Sequence, residues 1–341
     1  MQIKKYLKDL KIEPVKEIDI RDKCYLANKV AILLVDNFSE YDLNYLKIVD
    51  LVQHTDMYYA NIPSTLSPVN YSYIGGTMYI SCDTDLSINN EYLLHEVIHK
   101  IQEYRNKRKR LLQLGLCDIL ETKVKALAIN EAAIQYIVHK ILESKVENIE
   151  VYGIQIPTCS KKYYPILTNL IEQIAFVLGE KRLIDSTLNS NQEFKYNAID
   201  TLGEENYLKI ENNFDKILEA KNSFIKLKND DEINENMNII KKIYIETQGI
   251  ILKSYFNREF KKIKNISELE KFRDKLLKYR DYIGSKEGQV IYSDYYKDME
   301  EQLKTLEYSM TNKALIVVSD NKIINAFRKI RNYIERLVFQ H

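Results

Sequence analysis

Chain breakers are scarce in this sequence: 9 glycines and 5 prolines are spread over 341 residues. Glycine supplies the positive φ of tight turns, and proline ends helices. So few of them cannot punctuate a turn-rich β architecture, and long helices are expected. Apolar residues make up 45% of the chain, enough for a sizeable core at a length that accommodates two domains. Lys and Arg (50) balance Asp and Glu (49), which leaves no cationic excess for extended nucleic-acid binding. Cys24, Cys82, Cys117 and Cys159 are widely scattered, with no CxxC pair. They read as free or buried thiols in a reducing compartment. The N-terminus, MQIKKYLKDLKIEP, has no apolar segment of signal-peptide length. The early apolar run from Val30 to Val35 is too short to span a bilayer. A cytoplasmic protein with no membrane partner is expected.

Along the chain, residues 1–55 read mainly as helix. Leu43, Leu46, Val49 and Val52 recur near the helical period over 42–53. The run 29–36, KVAILLVD, suits a buried strand or a helix equally. The β-prone runs 69–74 and 77–81 flank Gly75-Gly76, the signal of a hairpin with a two-residue loop. A helix is expected over 85–107, capped by Asp85 or Ser87. A second, over 118–142, is apolar nearly all round and therefore central and buried. A third follows Tyr163-Tyr164-Pro165 to about residue 178. Residues 188–192 (LNSNQ) form a soft boundary. Beyond it the chain reads as amphipathic helices with breaks near 229–231, 284–285 and 319–321.

The first of these helices carries His95-Glu96-Val97-Ile98-His99. Residues four apart stand one turn above each other on one helix face, so both imidazoles can converge on one cation. Zn²⁺ suits such ligands, and a catalytic site adds a third protein ligand and keeps one position open. Glu96 projects beside that cation, where a carboxylate can take a proton from an activated water and later pass it to a leaving amine. With five histidines in the chain, chance places such a motif in about one such sequence in a hundred or fewer. The flanking Leu94, Val97 and Ile98 argue for burial rather than two solvated histidines. In the second helix, Glu131 is a carboxylate among apolar residues, and a buried carboxylate needs a compensating charge.

The HExxH segment together with Asn130-Glu131-Ala132 resembles the thermolysin-like gluzincins, zinc peptidases in which the Glu of an Asn-Glu-Ala stretch is the third ligand. Here 31 residues lie between His99 and Glu131, more than in the thermolysin branch. The resemblance implies a metallopeptidase with His95, His99 and Glu131 on Zn²⁺ and Glu96 as general base. Gln135 stands where those enzymes place an acidic residue behind the ligands, and it can accept a hydrogen bond from a ligand imidazole. Glu121 is the runner-up ligand. An upstream strand that holds extended substrate would be Thr77–Ser81. The further donor that zinc peptidases aim at the developing oxyanion would come from Tyr163 or Tyr164, folding back over the site. His139 is offset from Glu131 around the helix and reads as a satisfied structural histidine; His54 and His341 read as structural or solvated. The basic run from Arg105 to Arg110 reads as a solvated helix end.

The expectation is a mainly α (α+β) chain with a small antiparallel β element. Residues 1–190 would form the zincin-like part and 191–341 a helical part. Its partner would be a peptide or protein substrate. The alternative is a regulatory zincin-like protein, similar to the ImmA-like antirepressors, that cleaves or grips one specific protein.

Overall fold

A computed structural model describes residues 2–86, 90–108, 110–120, 123–227 and 229–338. The elements are α1 (Gln2–Leu10), β1 (Glu13–Glu17), α2 (Ile20–Asn37), α3 (Tyr45–Gln53), β2 (Asp56–Asn61), β3 (Val69–Ser72), β4 (Thr77–Ser81), α4 (Glu91–Ile101), β5 (Glu103–Arg105), β6 (Leu111–Leu114), β7 (Asp118–Leu120) and β8 (Lys123–Lys125). There follow α5 (Leu127–Ile141), β9 (Glu147–Val151), β10 (Ile154–Thr158), α6 (Pro165–Leu178), α7 (Glu180–Asn189), α8 (Glu193–Leu202), α9 (Glu204–Ser223), α10 (Asp230–Phe260), α11 (Ile266–Tyr279) and α12 (Lys286–Val338). The chain is mainly α with small β elements, as its shortage of breakers implies. The ambiguous run 29–36 lies inside α2. α3 starts at Tyr45, where Asn44 Oδ1 accepts the Lys47 N–H at 2.9 Å.

The main sheet has the order β1-β2-β4-β3. β3 and β4 form the expected antiparallel hairpin, with Ser72 opposite Thr77. Its loop is four residues, 73–76, rather than the two glycines alone: the N–H groups of Gly75 and Gly76 both turn back to the Ser72 carbonyl, at 3.2 and 2.7 Å. β2 runs parallel to β4, so the sheet is mixed. Alternation gives it two apolar faces. Met57, Met78 and Ile80 join the main core, while Ala60 and Tyr79 meet Ile12 and the α1 residues Tyr6, Leu7 and Leu10.

Three expected boundaries move. α4 begins at Glu91, not near 85, because Asn90 Oδ1 accepts the N–H groups of Tyr92 and Leu93 at 2.9 and 3.2 Å; Ser87 lies outside the described residues. α4 ends at Ile101; Arg105 ends β5 and the Asn106 N–H bonds the Arg110 carbonyl at 3.0 Å in the turn to β6, so the described part of the basic run is not a helix end. The front of the expected 118–142 helix is instead the β7–β8 hairpin, with Ile119 opposite Val124. At the other end of the chain α12 runs through 319–321 unbroken; those polar residues include no Gly or Pro to force a stop. One apolar core spans residue 190: Leu170 and Ile171 of α6 belong to the same cluster as Phe214 of α9 and Ile251 of α10.

Candidate metal centre

Two helices carry the candidate ligands, and each is fixed from outside itself. α4 presents His95 and His99 one turn apart, both buried. α5 starts after Ala126, which takes the left-handed conformation (φ 59°) and has no capping side chain. Asp215 of α9 supplies the cap instead, its Oδ1 accepting the Ala128 N–H at 3.1 Å. The two helices are tied by a reciprocal amide pair: Gln102 Nε2 donates to Asn130 Oδ1 at 3.3 Å, and Asn130 Nδ2 donates to Gln102 Oε1 at 3.2 Å. The residue before Glu131 thus locks α5 to the end of α4.

His95, His99 and Glu131 come together, each offering a ligand atom within 4.8 Å of the others, and they could hold a metal ion. Glu131 Oε2 lies 3.0 Å from His95 Nε2, and Glu131 Oε1 lies 3.2 Å from His99 Nε2. Gln135 decides the chemistry of the first contact. Its amide nitrogen faces the Glu91 carboxylate and Ser160 Oγ (3.1 Å), so its oxygen is the atom 2.9 Å from His95 Nδ1. His95 then donates from Nδ1, and a neutral ring has a lone pair on Nε2. A lone pair facing a carboxylate oxygen at 3.0 Å requires a positive charge between or on them, a proton or a metal cation. The donor set therefore fits a cation, and Gln135 plays the orienting part expected of it.

The two carboxylates differ. Burial pushes the Glu96 carboxyl up, against the pull of His99 and His95. Burial also raises Glu131, but His99 and His95 outweigh it and hold that carboxyl well below the usual carboxylate range. Burial lowers His99, yet the Glu131 carboxylate beside it leaves the imidazole above its ordinary value of 6.5. Such divergence separates a carboxyl held anionic, Glu131, from one whose protonated form burial favours, Glu96. Glu96 Oε2 accepts the Tyr71 N–H of β3 at 3.0 Å, which fixes it beside the imidazoles without making it a member of the triad.

Tyr163 and Tyr164 do fold back over the centre. Their rings lie 4.8 and 6.0 Å from the His95 ring and 4.3 Å from each other. Burial pushes both phenols well up, and the Tyr164 hydroxyl also interacts with the Glu131 carboxylate. Tyr164 takes φ 54°, a costly conformation for a bulky side chain, immediately before Pro165. The strand expected to hold substrate is misplaced: Thr77–Ser81 is bonded to β2 on one side and β3 on the other, so its backbone groups are used. β3 is the edge strand beside α4, and its Tyr71 N–H is taken by Glu96. His139 is a satisfied structural histidine, with Nδ1 at 2.7 Å from Ser144 Oγ and Nε2 at 3.3 Å from Glu91. His54 is exposed and pairs with Asp50 at 3.1 Å. Glu121 and His341 lie outside the described residues. All four cysteines are free, Cys117 and Cys159 buried.

Asp215, Gln102 and Lys221 escape sequence reasoning. The Lys221 amine lies 4.1 Å from the Tyr164 ring centroid and 5.7 Å from that of Tyr163. No local pattern singles them out; only tertiary structure brings them here. Among the described residues, no helix is long and apolar enough to cross a membrane. Comparison with protein-family models, curated proteins and solved structures finds no match to this chain.

Proposed function

We propose that this chain is a zinc-dependent peptidase, gluzincin-like in its ligand set. The observation that carries the reading is the buried His95–His99–Glu131 triad with a second carboxylate, Glu96, held beside it and shifted the opposite way. Two imidazoles and a carboxylate suit zinc among the common cations. Zinc there would polarise a peptide carbonyl and lower the pKa of water. Glu96 accepts the proton of the attacking water and returns it to the amine as the C–N bond breaks, leaving a carboxylate and an amine. Tyr164 directs a hydroxyl at the oxyanion, and Gln135 keeps the His95 ring oriented. In this reading residues 1–190 carry the catalytic elements, and the helical part 191–341 lends them Asp215 and Lys221.

A second reading has support in the aromatic roof: a site closed by Tyr163 and Tyr164 suits a zincin-like protein that opens only for one protein partner. Metal analysis of the purified chain beside His95→Ala, with a mixed peptide library as substrate, tests both. The peptidase reading expects about one zinc per chain, lost in the variant, and cleavage that Glu96→Gln lowers by about 10²-fold or more with zinc retained. Zinc without cleavage of any generic peptide supports the partner-restricted reading. No zinc in either protein under metal-replete conditions refutes both.

A further inference from the structure

Lys221 sits in the last turn of α9, half-buried against the aromatic roof. Among the described residues it makes no ion pair; its amine contacts are the rings of Tyr164 and Tyr163. The acid whose charge acts on it is Glu131, whose two oxygens already face the two imidazoles. Burial lowers the Lys221 amine, and only Glu131 opposes that. A dication at the triad would balance Glu96 and Glu131, the two carboxylates that face it. The Lys221 charge then stands unmatched in a partly desolvated site, where an anion is worth more than in water.

We infer that Lys221 binds a substrate carboxylate, the free C-terminus of a peptide ending within about three residues of the scissile bond. This rests on the peptidase reading and assigns it a substrate class. The length follows from geometry. With the Tyr164 ring 6.0 Å from the His95 ring and the amine 4.1 Å from the Tyr164 ring, Lys221 Nζ stands within about 10 Å of His95. Extended peptide advances about 3.3–3.6 Å per residue, so one to three residues cover that span. A lysine placed as an oxyanion donor would touch the reacting carbonyl itself. Here the contacts of the amine are the Tyr164 and Tyr163 rings and not a residue of the triad, which suits a charge one or more residues further along the substrate.

The test uses the zinc-loaded full chain and peptide hydroxamates with one, two or three residues after the hydroxamate. Each is made with a free C-terminal carboxylate and with a terminal amide, and affinities are read by calorimetry. At one of the lengths the acid is expected to bind about tenfold tighter than its amide or better. Lys221→Met should bring the acid down to the level of the amide with zinc content unchanged, and Lys221→Arg should keep a preference for the acid. Equal binding of acid and amide at all lengths overturns the inference, as does a preference that survives in Lys221→Met or a loss that falls equally on acid and amide. In those cases tight hydroxamate binding leaves the metal-centre reading standing. A chain that takes up no zinc sinks that reading and this one together.

Discussion

Replacing Gln135 by methionine removes one polar group from behind the metal centre and keeps its length. Two costs arise, and they separate experimentally. Gln135 Oε1, 2.9 Å from His95 Nδ1, holds the ring so that Nε2 faces the ligand position. Losing such an outer partner lowers metal affinity by about 10- to 100-fold, or about 1.4–2.7 kcal/mol. The amide nitrogen also serves Glu91 and Ser160 Oγ, which methionine leaves without that donor. That costs about 1–3 kcal/mol of stability whether metal is bound or not.

Competition with a chromogenic chelator measures the first cost, and thermal unfolding of the metal-free proteins measures the second. Ser160→Ala is the control, since it loses a partner of the amide nitrogen but leaves the oxygen facing His95. Gln135→Met should lose 10- to 100-fold in zinc affinity, and Ser160→Ala less than about threefold. Unchanged affinity in Gln135→Met, or an equal loss in both variants, refutes the claim that Gln135 fixes the His95 tautomer.

The α5 cap predicts that Asp215→Ala costs about 0.5–2 kcal/mol in unfolding titrations, while Asp215→Asn, which keeps an acceptor, costs much less; equal losses would deny the cap. Tyr164→Phe should lower kcat on a cleaved peptide by about 10²–10³ with KM and zinc content little changed; full activity would leave Tyr164 a packing residue only. The His99–Glu131 pair sets a pH dependence. His99 is raised above its ordinary 6.5, so its share of stability in the metal-free chain is complete below pH 6.5 and lost as pH rises through the raised value. Glu131 is depressed, so its share is present above 4.5 and lost as pH falls through its folded value. Zinc needs both imidazoles unprotonated. Zinc should therefore raise Tm more at about pH 8 than at about pH 6, and an equal rise at both would contradict this pairing.

How much of this was legible in the sequence depends on the range of the forces involved. His95 and His99 share a face because four residues make about one helical turn, and this needs no tertiary information. The loop around Gly153 and Pro157 lets Tyr163 or Tyr164 fold back over the site, but that both rings meet His95 is settled only by tertiary structure. Helix ends were less legible. Ile119 and Val124 suit a helix apolar all round and a hairpin pair alike, and the choice is made by Asp215, almost a hundred residues on, which starts α5 at residue 127. Strand order is not a local property either, so nothing in Thr77–Ser81 reveals that β2 covers one of its sides.

The same long-range logic explains why a long helical part belongs with this centre. Glu131 must meet two imidazoles on another helix, and α5 cannot set its own register, because Ala126 offers no side chain to cap it. α9 does so through Asp215. Six residues later it places Lys221 against Tyr164, an advance of about 9 Å along the helix axis. Glu131 lies three residues along α5 from Ala128, where Asp215 binds, an advance of about 4.5 Å. One helix thus fixes the height of the metal ligand and of the cation beside the roof. Any shift of α9 along α5 would change the spacing between Glu131 and Lys221, so the Asp215 contact that pins this helix pair also holds the candidate ligand and the cation at a fixed separation.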